Sequence, residues 1–387
     1  MKAMILAAGK GTRARPLTTI LPKPMIPLIR KPIMESIIEH LRKYGFNQLM
    51  VNTSYLSADI ENYFRDGHAW GVEIGYSYEG VMEGNTFVDN VLGSAGGMKH
   101  IQNFSGFFDE TFVVVCGDAL IDVDFDEVLA FHRARKSVAT LVIRPVSADQ
   151  VNKYGIVVTD EQGRVSQFQE KPKTEDALSN NANTGIYVFE PEIFDYIPDG
   201  VEYDIGSQLF PKLAELGIPF YGIASPFQWV DIGSLQDFWH VNRMILNQDL
   251  PGYPMPGIKI APQIWCGLNV KADFSTLDIE GPVYIGSSTE IQSGVTIKGP
   301  TIIGAGCLLE QGAIIDQSFI ADYTRVGGIA HLYQQMIFAG KVISPDGTAI
   351  DLSEAGLNWL IDDKRRKDII MAEKSLFDEF LHKDTLI

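Results

Sequence analysis

The chain has 387 residues, 45% hydrophobic and 21% charged, and 49 acidic against 32 basic side chains give a formal net charge of −17. That length exceeds the size at which one core stops growing, so two domains are expected, and the acidic balance argues against a nucleic-acid partner, which Lys and Arg would have to hold. Cys116, Cys266 and Cys307 are too few and scattered for a disulfide framework or zinc site. With no membrane-length apolar run and no signal peptide before the first strand, a cytoplasmic chain without a membrane partner is expected.

The chain opens on an apolar run at residues 3–8, short enough for a buried parallel strand, and it ends on Gly9-Lys10-Gly11-Thr12-Arg13. Two glycines one residue apart let backbone N–H groups turn toward an anion. Arg13 and Lys23 add positive charge, a combination that suits a polyphosphate. The stretch also fits the dinucleotide fingerprint G-x-G-x-x-(G/A). That motif needs a helix opening from the loop, and Pro16, Pro22, Pro24 and Pro27 prevent one. It also needs a carboxylate after the next strand, where Asn52 stands instead. A P-loop fails because no Gly-Lys-Ser/Thr closes the turn.

Residues 33–44 carry Ile33, Met34, Ile37, Ile38 and Leu41 at helical spacing, closed by Gly45. A strand is expected at 48–52. A helix capped by Ser57, with Ile60, Tyr63 and Phe64 inward, follows, and then a strand at 72–78. This alternation implies right-handed crossovers and a mostly parallel, Rossmann-like α/β sheet. Further elements are expected as a helix at 97–104, an apolar strand at 111–116 ending on Gly117-Asp118, a helix at 125–136 and a strand at 138–146. A hairpin at 155–169, strands at 183–189 and 227–231, and a helix capped by Ser234 complete a domain of residues 1–248.

Residues 249–257, rich in Pro and Gly, read as a stiff linker. Beyond them the period becomes six: Ile279, Ile285, Ile291, Ile297, Ile303, Leu309 and Ile315 keep strict register among glycines. That pattern predicts a parallel β-helix over 258–330, each coil burying its core only by stacking on the next. Residues 331–387 leave the period and are expected to form a helical tail over 353–359 and 363–381, with Lys364, Arg365, Arg366 and Lys367 as a solvated basic run. The tail is expected to cap the solenoid or mediate self-association.

Asp118 ends an apolar strand at the edge where open α/β sheets place ligands, and Asp231 ends another. Two hard-oxygen carboxylates suit Mg²⁺ held jointly with substrate phosphates. Asp231 also precedes a helix closely enough to be its cap. Asp122, Asp124 and Asp126 mimic a calcium-loop spacing but lack its Gly and Glu.

The stretch LAAGKGTRARPLT…PKPMIPLIRKP resembles the signature of the sugar-1-phosphate nucleotidyltransferases, and the resemblance covers nearly all of the chain except its last fifty or so residues. It implies a left-handed β-helix and a nucleoside triphosphate lying on Leu6, Ala8, Gly9, Gly11 and Thr12. Arg13 and Lys23 would hold the phosphates, and Asp118 and Asp231 the metal. Gly93, in Leu92-Gly93-Ser94-Ala95-Gly96-Gly97, is expected at the nucleobase, although the same glycines can simply cap a helix. Gly155, Glu170, Asn183 and Thr184 would take the sugar, and Lys171 its phosphate. A Glu170–Lys171 surface ion pair is the plainer alternative. The implied chemistry is direct attack by the sugar phosphate on the α-phosphorus, without a nucleophilic Ser or Cys.

Glu79, after the 72–78 strand, stands where the resemblance expects a residue reading the base edge. A carboxylate accepts only, which favours guanine's adjacent donors and hence GTP with mannose 1-phosphate. Against this, YFRDG, LGSAGGM, VVVCGDALID, VEYDIGSQLFPKL and FQWVDIG resemble the cyanobacterial UDP-glucose pyrophosphorylase branch of the family, so UTP with glucose 1-phosphate is expected. A hexapeptide acyltransferase would use a solenoid His, and residues 279–320 contain none. A non-catalytic regulatory subunit should have lost Arg13, Lys23, Asp118 or Asp231, and all four are present. The solenoid or the tail is expected to build a homo-oligomer.

Overall fold

The computed structural model describes residues 1–83, 86–250 and 252–366. Two compact units emerge. One comprises Met1–Thr12, Leu21–Ile26 and Lys31–Asp231, and the other Arg13–Ile20, Pro27–Arg30 and Ile232–Ile387.

In chain order the first unit contains β1 (Lys2–Leu6), α1 (Ile33–Lys43), β2 (Gln48–Thr53), α2 (Ser57–Phe64), β3 (Glu73–Tyr78), a hairpin of β4 (Gly80–Glu83) and β5 (Thr86–Asp89), and α3 (Gly93–Ser105). There follow β6 (Phe112–Cys116), β7 (Ala119–Ile121), α4 (Phe125–Arg135), β8 (Ala139–Pro145), β9 (Gly155–Thr159), β10 (Val165–Glu170) and β11 (Asn181–Phe189). Helix α5 (Phe210–Glu215), β12 (Tyr221–Ala224) and β13 (Trp229–Asp231) end it. Nine strands share one sheet in the order β10-β9-β11-β6-β1-β2-β3, with β8 joining β11 to β12.

The apolar run at the chain's start lies at the sheet's centre because both faces are covered: Ala3, Met4 and Ile5 are fully buried. It pairs in parallel with β2 and β6, which sets Leu6 beside Asn52 on one side and Cys116 on the other. Three strands therefore deliver their carboxyl ends to one edge. The short β13 pairs antiparallel with β7, placing Asp231 opposite Ala119 and so next to Asp118 along the ladder.

Local expectations fail in three places. Helix α2 begins at Ser57 itself, with Leu56 as its uncapped N-terminal flank at φ 53°, because Ser54 C=O already accepts the Ser57 N–H and turns the chain early. Tyr63 faces outward, 40% exposed, and its hydroxyl donates to Glu35. Helix α3 starts at Gly93, not at residue 97, which turns an expected loop into a helical turn.

In the second unit α6 (Leu235–Leu246) opens on Ser234, whose Oγ accepts the Asp237 N–H. Buried Asn242 on this helix accepts the Ile29 N–H at 2.9 Å, and Tyr253 donates to Leu28 C=O, so residues 27–30 are held by this unit. Phe238 meets Phe319 edge-on at 5.4 Å between centroids. Downstream, three sheets form the faces of a parallel β-helix. Ile285 stacks on Ile303, Ile291 on Leu309 and Ile297 on Ile315, in the register expected from the six-residue period. All six are at most 5% exposed.

The period is lost beyond Ile315 because one corner shortens. Gly281-Pro282 and Gly299-Pro300 occupy that corner in the earlier coils; Gln317-Ser318 and Gln334-Gln335 occupy it later. Gln317 and Gln334, at φ 47° and 52°, turn the chain one residue sooner, and Ile320 and Ile337 still stack. The solenoid therefore runs past residue 330.

The helical tail is corrected accordingly. Met336–Phe338 turns back on Lys341–Ile343 and Ala349–Asp351, and Ile361–Asp363 pairs antiparallel with Thr324–Val326. Residues 353–359 form turns, with Gly356 at φ 66° and the Leu357 N–H donating back to Leu352 C=O. Residues 367–381 of the expected terminal helix lie outside the described residues. In the basic run Arg365 and Arg366 are exposed, Arg365 binding Asp363 and lying 4.5 Å over the Tyr323 ring, while Lys364 donates to Cys307 C=O and Lys367 lies outside the described residues. Among the described residues no helix is long and apolar enough to cross a membrane.

Truncating a fully buried rung should tell on stability. Ile303→Ala is expected to cost about 2–5 kcal/mol in urea denaturation followed by tryptophan fluorescence, and exposed Lys298→Ala within about 0.5 kcal/mol of nothing.

Candidate active site

The carboxyl ends of β1, β2 and β6 open into a cleft of about 260 Å³. Leu6, Ala7, Ala8 and Gly9 form one wall, Lys23, Pro24, Cys116 and Asp118 the floor, and Asn52, Glu79, Val91, Gly93 and Ser94 the other wall. Gly11 follows at φ 59°, a left-handed turn that a glycine adopts without strain. Thr12 and Arg13 are exposed beyond it; neither lines this cleft, and Arg13 belongs to the second compact unit.

Lys23 is 8% exposed, and its ammonium is shared by two carboxylates. It contacts Asp118 closely and lies 3.9 Å from Asp231. The pairing of β7 with β13 brings the two aspartates to one charge. Asp231 does not cap α6, since Ser234 does. One ammonium between two carboxylates leaves a net negative charge, and both aspartate side chains stay about a quarter exposed, at 27% and 25%. Such a pair can accept a further cation from solvent. Cys116 beside it is no nucleophile: burial pushes its thiol far up, and the charges of Asp118 and Asp231 push it further.

The opposite wall is fixed by a buried polar chain. Asn52 Oδ1 accepts the Ala7 N–H at 2.8 Å, and Asn52 Nδ2 donates to Glu79 Oε1 at 2.6 Å. Glu79 Oε2 accepts the Leu92 N–H at 3.1 Å. Glu79 is 1% exposed; burial raises its carboxyl, while the Asn52 and Leu92 hydrogen bonds pull it back down. Each of its oxygens already accepts one hydrogen bond within the chain, and so deep a burial weakens the argument for guanine. Gly93 is explained by close approach: a Cβ there would lie 2.6 Å from Tyr203 C=O, which accepts the Ala95 and Gly96 N–H groups. Ser94 donates to Asp204, whose other oxygen caps the turn at Gly206 and Ser207.

A second group of expected residues gathers on β9, β10 and β11. Gly155 is paired with Glu170, and a Cβ on Gly155 or Gly206 would come within 3.1 or 3.2 Å of Glu170 Oε2. Lys171, at φ 44°, donates to Glu170 Oε1 at 2.6 Å and is 54% exposed. Asn183, half-buried, donates to the Tyr187 hydroxyl at 2.9 Å. Thr184 is on the other face: 3% exposed, it donates to Val142 C=O, so strand alternation removes its hydroxyl from the Asn183 side. Gly185 closes the gap to the cleft, its Cβ position lying 2.6 Å from Cys116 Sγ.

Sequence reasoning did not single out Asn52, Tyr203 or Asp204. An amide at a strand end carries no motif, and Tyr203 acts through its backbone carbonyl, Asp204 through a carboxylate whose partners are distant in sequence or local to its own turn.

The nucleotidyl transferase family profile matches residues 2–248. A UTP–glucose-1-phosphate uridylyltransferase from Synechocystis is 51% identical over 94% of each chain. A mannose-1-phosphate guanylyltransferase from Mycobacterium tuberculosis is 33% identical over 80% of this chain and 83% of its own. Among solved structures, a UDP-glucose pyrophosphorylase complexed with UDP-glucose has a TM-score of 0.54 at 21% identity, covering 64% of this chain and 98% of that one, a likeness of fold. A sheet edge that gathers a glycine turn and two aspartates on one lysine, with these matches, places the chain in the nucleotidyl transferase family.

Proposed function

We propose that this chain joins UTP and glucose 1-phosphate into UDP-glucose and pyrophosphate. The observation that carries the reading is the convergence of Asp118 and Asp231 on Lys23, which with Asp118 lines a cleft walled by the start of the glycine turn. The choice of uridine and glucose rests on the Synechocystis relative, 51% identical over 94% of both chains. The internal engagement of Glu79 weakens the contrary argument for guanine.

A sugar 1-phosphate carries close to two negative charges at neutral pH, its second pKa being about 6. One of its phosphate oxygens attacks the α-phosphorus of UTP; the new P–O bond forms as the α–β bridging bond breaks, and pyrophosphate departs in line. No side chain need exchange a proton. The protein's part is to hold mutually repelling anions in line, through the turn at Leu6–Gly9 and Lys23 on the triphosphate and Lys171 on the incoming phosphate. Glu170 and Asn183 would orient the hexose beside Gly155.

Asp118 and Asp231 fit a hard divalent cation, since they already converge on one positive charge. Among the described residues no group of three or more His, Cys, Asp or Glu could hold a metal, so substrate phosphates would complete the shell. Mg²⁺ is the proposed ion, and when bound it supplies neutralisation of phosphate charge.

Asp118→Asn and Asp231→Asn should each lower pyrophosphate release by about two orders of magnitude or more while the thermal melt stays cooperative. Equal turnover in either variant would sink the assignment. EDTA should abolish the activity and Mg²⁺ restore it. Across a panel of the four common triphosphates with glucose and mannose 1-phosphates, UTP with glucose 1-phosphate should give the highest kcat/KM; a preference for GTP with mannose 1-phosphate would refute the specificity. Lys171→Ala should raise KM for the sugar phosphate by about tenfold, with KM for UTP little changed.

A further inference from the structure

Asn52, on β2, and Glu79, the residue after β3, are hydrogen-bonded to each other at the inner end of the cleft, 3% and 1% exposed. Their hydrogen bonds run in a single direction of complementarity. The Ala7 N–H donates to Asn52 Oδ1, Asn52 Nδ2 donates to Glu79 Oε1, and the Leu92 N–H donates to Glu79 Oε2. One end of this chain is the turn after β1, and the other is the residue before α3. We propose that Asn52 and Glu79 are a positioning clamp: they set the gap between the phosphate turn and the first turn of α3, and hence the affinity for UTP, by gripping two backbone amides. The proposal rests on reading this cleft as the nucleotide site.

Donor and acceptor counting makes the clamp testable. Glu79→Gln leaves one acceptor for two donors, so an amide N–H must confront either Leu92 or Asn52. Asn52→Asp sets two carboxylates against each other without a proton between them. In the double exchange the new carboxylate at position 52 accepts from Ala7 and from the new amide at position 79, whose oxygen accepts from Leu92. Every bond is regained with the formal charge unchanged. A third variant acts from behind. Gly97→Ala would put a Cβ 2.4 Å from Glu79 Oε1 and displace the carboxylate, although alanine favours a helix over glycine.

The experiment compares the full-length chain with these variants by steady-state kinetics for both substrates, UTP calorimetry and thermal melting. Glu79→Gln, Asn52→Asp and Gly97→Ala should each raise KM for UTP about tenfold or more, leaving KM for glucose 1-phosphate within about twofold; the double exchange should return UTP affinity to within about threefold of the parent. Should a single variant fail to fold, a double exchange that regains both melt and UTP affinity supports the clamp. A double exchange no better than its worse single variant overturns it. So does a Glu79→Gln chain that merely changes its preferred base, which would mean that the carboxylate reads the nucleobase directly. If the parent turns over no UTP, the functional reading fails instead, and calorimetry with each triphosphate still reads the clamp.

Discussion

Two carboxylates and one ammonium, gathered by a short antiparallel strand pair next to the carboxyl end of β6, are the constraint on which this molecule depends. A carboxylate pair this close is unstable unless a positive charge lies between them, and Lys23 provides it from the segment that follows the glycine turn. The lysine is kept in place by burial, and the two aspartates by a ladder of only three residue pairs between β7 and β13. The fold thus keeps an excess of negative charge open to solvent beside a wall of backbone amides. That combination binds nothing well by itself, but it suits a polyanion that brings its own cation.

The rest of the first unit can be read as support for that edge. Buried β1 lets the turn start from a rigid point, because its central Ala3, Met4 and Ile5 are covered on both faces. Tyr203 and Asp204 hold the beginning of α3 through backbone and cap contacts, so glycines that look made for a ligand are first of all required by a neighbouring strand of chain. At the end of β10, Glu170 is flanked by Gly155 and Gly206, two positions where any side chain would crowd its carboxylate.

How much of this was legible depended on whether a residue acts through its type or through its surroundings. The glycine turn, the prolines that forbid a helix after it, and the aspartates at strand ends could be read directly, because each restricts backbone or charge whatever its neighbours are. Strict recurrence from Ile279 to Ile315 revealed the β-helix for the same reason. The reading lost the solenoid where Gln317 turned the chain one residue early, since a six-residue template cannot register a five-residue corner. Apolar spacing at the carboxyl end suggested helix, but Leu352, Leu357 and Ile361 meet the solenoid core from turns and a strand. Glu79 shows the other limit: its type pointed to a base edge, and only the positions of Asn52 and Leu92 reveal that its oxygens are engaged.

The antiparallel strands at the end of the coil carry a further consequence. A stack of parallel coils has no natural terminus: its last rung offers unpaired amides to any similar edge, the geometry from which fibrils grow. Here Lys341–Ile343 folds back over one edge and Ile361–Asp363 over another, each antiparallel to the strand it covers. A foreign coil arriving at this end would find two of the three edges already taken in the wrong orientation, so the array is finite by construction and its length is written into the chain that builds it.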